Sequence, residues 1–277
     1  MMRDNHLYKK RQNRYLKQRG LKPVTVCIAA ICNVGLLDEN KAPIPPCIIF
    51  CADKLVSAGT QYESIEAKIK RITDYCFVMQ SSNNALISDL ILERVKQKVG
   101  TPEKPLKIEE IVKMLREECF NYKKQWFEDN ILWKYDLAFK KFELTPPEPM
   151  VSNAVKEVAE CQYPFEFEFI VLGIEPSFEA HLFYVDQDGA YQLQDYLGFV
   201  TIGIGRQLAF PQMTKYAYSR YVPLATAIPI VYIFQRKCRK ECREWDSVLT
   251  LLYFTSLKRK VLHFCQQFGF LPMNPIL

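Results

Sequence analysis

The sequence predicts an α+β fold, a layered αββα domain with helices outside two packed β-sheets. Three observations carry this expectation. Short apolar runs rich in β-branched and aromatic residues cluster before residue 81 and again after residue 164. Between them lie long segments with apolar residues at three- and four-residue steps. The strands do not alternate one by one with helices, so a parallel βαβ sheet and a Rossmann-type nucleotide site are not supported. With 277 residues, 49% of them hydrophobic and 25% charged, the chain can bury a substantial core.

Residues 1–24 are polar and basic, and Gly20 and Pro23 interrupt any helix before Thr25. Thr25–Cys32 and Cys47–Asp53 read as two buried strands, joined by a long loop that carries Gly35, Pro43, Pro45 and Pro46. Asp53–Gly59 reads as a surface turn. Lys68–Thr73 and Cys76–Gln80 read as a strand pair around Asp74-Tyr75. Ser81-Ser82-Asn83-Asn84 offers helix-capping side chains. The helix they introduce spans 85–99, with Leu86, Ile87, Leu90, Ile91 and Val95 on one side and Gly100 at its end.

A second, longer amphipathic stretch covers 105–142, marked by Ile108, Ile111, Val112, Leu115, Cys119, Tyr122 and Trp126, and broken by Thr145–Pro149. The aromatics Trp126, Phe127, Trp133, Tyr135, Phe139 and Phe142 read as helix packing. Four strands follow, at Phe165–Gly173, His181–Val185, Ala190–Gln194 and Val200–Ile202, with Asp186–Gly189 as a hairpin turn. Pro223 or Pro229 opens another helix, running to about Trp245. Val248–Phe254 is a final strand.

The net charge of +6 is local. Residues 1–24 hold eight Lys or Arg against one Asp, whereas 29 basic and 30 acidic side chains share the remainder. A neutral body with a basic extension does not call for a nucleic-acid-binding face. No Gly-rich phosphate loop is present, and no apolar run approaches the ~18–20 residues of a membrane span. The polar N-terminus has no apolar signal core. The cysteines Cys27, Cys32, Cys47, Cys51 and Cys76 sit inside apolar runs, so buried free thiols in a reducing cytoplasm are expected. There is no Cys-x-x-Cys pair; Cys238 and Cys242 share a probable helix face, but with three His in the chain no metal site is expected.

The most informative chemistry is a Thr opening an apolar strand, a strand ending in Ala52-Asp53, and Lys68 ahead of Ile69-Lys70-Arg71-Ile72. A hydroxyl becomes a useful nucleophile when a base takes its proton. At a freed N-terminal Thr that base is its own α-amine, with a pKa near ~7.7–8.0. A neighbouring ammonium lowers the pKa of that amine, and a buried carboxylate aims the ammonium.

Several pieces, in order, resemble the proteasome β-type, N-terminal nucleophile (Ntn) hydrolases. They are Thr25–Cys32, Cys51-Ala52-Asp53 with Ser57-Ala58-Gly59, Lys68–Ile72, Phe169–Gly173, His181–Asp186 with Asp188-Gly189, and Gly198–Gly205. The likeness is closest to a bacterial and archaeal proteasome-like branch that opens Thr-Val-Cys-Ile-Ala and carries a helical insert like the one near 105–150. The resemblance implies a four-layer αββα sandwich over residues 25–277 and a propeptide at 1–24. It implies Thr25 as nucleophile and base, Lys68 as the tuning ammonium and Asp53 as the carboxylate that orients it. Ser57 would pair with the substrate backbone, and Ser82 would supply the oxyanion N–H. The implied activity is cleavage of a peptide, protein or other amide substrate in the cytoplasm, without metal or organic cofactor. A ring-like homo-oligomer is implied too, with an ATPase partner left open.

Three residues depart from the family's pattern. Val24 precedes Thr25 where active members have Gly, Ile204 stands where a Gly-Ser-Gly has its serine, and Ser82 takes the place of a glycine. A catalytically inactive structural subunit therefore stays open beside the enzyme. So do plainer roles: Thr25 as a strand former, Asp53 as a strand-end turn residue and Lys68 as a solvated strand lysine.

Overall fold

The computed structural model describes residues 26–33, 46–53, 55–58, 60–63, 68–100, 104–138, 149–242 and 247–252. The basic segment 1–24, Thr25, the loop after Asn33, Phe139, Phe142 and the Thr145–Glu148 break lie outside them.

The described chain is α+β, with two larger antiparallel sheets. Strands β1 (Cys27–Cys32), β2 (Cys47–Asp53), β10 (Phe199–Ile202) and β11 (Ser247–Leu252) form the first sheet, in the order β10-β1-β2-β11. Strands β5 (Ile69–Arg71), β6 (Cys76–Ser82), β7 (Phe167–Ile174), β8 (Ala180–Asp186) and β9 (Tyr191–Leu193) form the second, in sequence order. A separate hairpin pairs β3 (Leu55–Ala58) with β4 (Thr60–Glu63). Strand β3 therefore occupies part of the Asp53–Gly59 region read as a surface turn, and β4 follows directly after it. The one-residue break at Gly59 between two short pairable runs was the signal for them.

The helices are α1 (Ala85–Val99), α2 (Ile108–Asn130), α3 (Pro149–Glu160), α4 (Arg206–Lys215) and α5 (Leu224–Cys242). Helix α1 has the expected bounds. Asn84 Oδ1 accepts from Leu86 N at 3.2 Å, and Gly100 closes the helix with φ +51°. Its inward face is made by Ile87, Ile91, Leu92, Val95 and Val99, whereas Leu86 and Leu90 are exposed. The 105–142 stretch is shorter than expected: α2 stops at Asn130, and a 3₁₀ turn at Leu132–Tyr135 ends on left-handed Asp136. The helical region also continues past 150, because α3 follows. Helix α4 was not anticipated either. Pro223 immediately precedes α5, and Pro229 lies inside it.

Three clusters of buried side chains organise the core. Alternation along β1 and β2 sends Ile28, Ala30, Cys32, Cys47, Ile49 and Cys51 against α4 and α5, where they meet Ala209, Met213, Ala227, Val231 and Phe234. The opposite faces of the same strands, with Cys27, Ala29, Ile31, Ile48 and Phe50, meet Phe77, Met79, Ile170, Leu172 and Leu182 of the second sheet. The remaining face of that sheet, with Val78, Phe169, Val171 and Val185, packs on Ile91, Val95, Ile111 and Leu115 of α1 and α2. Each fully buried Leu, Ile or Phe in these clusters contributes on the order of 1.5–3 kcal/mol.

Trp126 and Phe127 pack edge and face on Tyr163 and Phe165, which is the packing role expected. Trp133 instead is exposed. Six of the described cysteines are buried and in no disulfide, as their apolar context predicted.

Candidate active site

Strand ends from both sheets converge at one edge of the molecule. Val26, buried, leads into β1, where Cys27 lies opposite Ala52 of β2 on one side and Ile202 of β10 on the other. The chain entering β1 is therefore flanked by the carboxyl ends of two strands: Asp53 ends β2, and Gly203 follows β10. Cys27 Sγ donates to Gln80 O at 3.7 Å, which ties this end of the first sheet to β6 of the second. Gln80 N in turn donates to Lys68 O at 2.9 Å. The beginning of β1, the end of β2, the entry to β5 and the end of β6 thus share one locus.

Lys68 is 5% exposed. A solvated strand lysine is excluded. Burying an ammonium costs several kcal/mol unless it is paired and hydrogen-bonded, so a lysine is rarely kept in such a place for packing alone. Thr25 lies two residues ahead of β1 and outside the described residues. The backbones of Asp53 and Ser57 are described, Asp53 as the last residue of β2 and Ser57 within β3 opposite Gln61. Ser82 ends β6 opposite Phe167. Its hydroxyl donates to Asn84 O at 2.8 Å and accepts from Asn84 N at 3.0 Å, a local turn that launches α1.

The sequence reading missed Glu168. It shares a face of β7 with Ile170 and Leu172, which point between the sheets, and it sits at the strand end beside the same locus, opposite Ser81. Its carboxylate accepts from Gly203 N at 2.7 Å, Tyr184 Oη at 2.9 Å and Arg206 Nη1 at 3.0 Å. Gly203, with φ +84°, adopts a left-handed conformation that glycine tolerates best, so the turn after β10 is fixed by both its backbone and the carboxylate. Burial, and then the Glu168 charge, push the Tyr184 phenol up to about 12. The available signal was a charge on the inward register of an otherwise apolar strand. Lys70 Nζ and Gln80 Nε2 both meet Asp89 Oδ1, at 3.3 and 2.7 Å, and so hold α1 against β5 and β6.

The described groups gathered where β1 begins are thus the buried Lys68, the Glu168 carboxylate, the backbone end of β2 at Asp53 and the end of β6. No protein-family model matches the chain, and none of the curated proteins compared with it does.

Proposed function

We propose that this protein is an Ntn amidohydrolase of the proteasome β type, a threonine peptidase whose Thr25 is exposed by removal of residues 1–24. The observation that carries the reading is the burial of Lys68 at the locus where β1 begins. The three core clusters support a four-layer αββα sandwich with the site at one end of the two sheets.

In this mechanism the Thr25 α-amine takes the proton of its own hydroxyl as Oγ attacks the substrate carbonyl. Lys68 lowers the pKa of that amine, and Asp53, at the end of β2, orients Lys68. The oxyanion is held by the backbone N–H of Ser82, an interaction type that contributes about 10²–10³ in rate. The amine then returns the proton to the leaving nitrogen. Water, activated by the same amine, releases the acyl group from Oγ. No metal or organic cofactor enters these steps. The substrate is an extended peptide pairing with β3 near Ser57, and ring-like self-association in the cytoplasm accompanies the reading.

A second reading, an inactive structural subunit, is favoured by one observation. Ile204, which stands where the resembling family has a serine, is 57% exposed and offers no hydroxyl. Incubation with a peptide epoxyketone or β-lactone separates the two. The enzyme gains one covalent adduct, located at Thr25 and absent from Thr25→Ala. Purified protein that stays unmodified under conditions that saturate a threonine peptidase supports the structural subunit instead.

A further inference from the structure

A second cluster of ionisable side chains lies at the other end of the second sheet, where β7 turns into β8. Glu175 follows β7, Glu179 precedes β8, and His181 is the second residue of β8. One ligand atom from each lies within 4.8 Å of the other two. His181 Nδ1–H donates to Asp195 Oδ2 at 2.7 Å, and Asp195 Oδ1 accepts from Leu182 N at 2.7 Å, so the ring is fixed from behind. His181 Nε2 consequently faces Glu175 Oε1 at 3.9 Å and Glu179 Oε2 at 4.0 Å. Among the described residues, His181 is the only group able to carry positive charge within ion-pair distance of these three carboxylates.

We propose that Glu175, Glu179 and His181 bind a divalent transition-metal ion, with Asp195 as the positioning residue behind the histidine. Three carboxylates around one imidazole leave a net negative charge even when the ring is protonated, and a divalent cation that takes the place of the Nε2 proton offsets more of it than the proton does. The donor set of one imidazole nitrogen and two carboxylates suits Zn²⁺, Co²⁺ or Mn²⁺. Ligands of one such ion sit roughly 3–3.6 Å apart. Closing from 3.9 and 4.0 Å to His181, and from no more than 4.8 Å between the two carboxylates, is within reach of a side-chain movement by Glu179, which is 70% exposed. Glu175 Oε1, the oxygen that faces His181 Nε2, already accepts from Ile108 N at 2.9 Å, which anchors that ligand to the start of α2 and leaves its second lone pair for the ion. A carboxylate that holds the far nitrogen of a ligating imidazole fixes its tautomer and raises its basicity. The ion would staple the β7–β8 turn to β8, to the segment before β10 and, through Glu175, to α2. Without metal, the Asp195 hydrogen bond raises the His181 pKa, against desolvation and with the added charges of Glu175 and Glu179, so protons compete with the ion.

The test uses the full chain, stripped with a chelator and titrated separately with CoCl₂ and ZnCl₂ at pH 7.5. The expected result is one equivalent bound, a rise in melting temperature, and cobalt d–d bands without a thiolate charge-transfer band. The last criterion separates this site from the cysteines. Asp195→Asn weakens binding about 10–100-fold, whereas His181→Ala and Glu179→Gln each remove the saturable site. Glu179→Gln is a change at an exposed side chain, so its folding is not in question. Binding that is equally tight in Glu179→Gln and His181→Ala, a thiolate band, or no saturable binding in the wild type overturns the proposal.

Discussion

Gly173→Ala perturbs the fold where its parts are in closest contact. Gly173 lies in β7 opposite Cys76, and a methyl group added there would stand 2.2 Å from Tyr75 O, 3.1 Å from Cys76 Cα and 2.8 Å from Ile108 Cδ1. Ordinary contact begins near 3.4 Å. The isoleucine methyl can rotate away, but the carbonyl cannot, because Tyr75 O accepts from Ile174 N at 3.1 Å. Relief therefore requires the β5–β6 turn to move by about 1 Å away from β7, at the upper end of the ~1–3 kcal/mol typical of overpacking. For a chain of this size, about 3 kcal/mol lowers the melting temperature by roughly 6–12 °C. Gly100→Ala is the control. At φ +51° and ψ −138° it adopts a conformation that glycine enters far more readily than other residues, about 1–3 kcal/mol for an L side chain, but an added methyl meets only Gln97 O at 3.7 Å, so it carries backbone strain without a clash. Thermal unfolding followed by circular dichroism reads both. If Gly173→Ala melts within about 2 °C of the unsubstituted protein, the β6–β7 register is wrong, and with it the placement of Ser82 and Glu168.

Two further outcomes follow from the same geometry. Lys68→Met keeps the apolar stem and removes the ammonium; adduct formation with an epoxyketone should fall about 10²-fold or more, and an unchanged rate would mark Lys68 as structural only. Cys27, Cys32, Cys47, Cys51, Cys76 and Cys119 are buried, so of the ten thiols no more than four should react promptly with a thiol reagent in native protein, and all ten after denaturation. Prompt reaction of more than four contradicts the core assignment.

Much of the fold was legible because local signals agreed with tertiary packing. Cys47–Asp53 is an unbroken apolar run ending in a charge, and β2 has those bounds. Helix α1 is marked by a capping Asn at one end and Gly100 at the other. The Asp186–Gly189 turn is specified by Asp186 Oδ1, which accepts from Asp188 N and Ala190 N, and by Gly189 at φ +75°. The misses have physical causes. Helix α3 begins at Pro149, a residue that starts helices as readily as it ends them, so the Thr145–Pro149 break also marks a helix start. Helix α4 contains Pro211 and buries little beyond Ala209 and Met213, so it has almost no periodic signal. Leu86 and Leu90 were placed on the buried stripe because hydropathy alone does not choose between adjacent faces of a helix.

At the candidate site, Lys68 could be singled out from its neighbours in sequence, but its burial could not, because that depends on two sheets meeting. The Glu168 network joins residues 168, 184, 203 and 206 through strand register, which no local pattern encodes. His181 and Asp195 met for the same reason: antiparallel pairing of β8 and β9 brings the segment after β9 back beside the start of β8.

The proposed chemistry requires a hydroxyl and an unblocked amine on residue 25. Intact mass and N-terminal sequencing of the mature protein test it most directly. The expected result is a species that begins Thr-Val-Cys-Ile-Ala and a Thr25→Ala chain that keeps residues 1–24. Amide-hydrolysing protein in which the Val24–Thr25 bond is intact contradicts it.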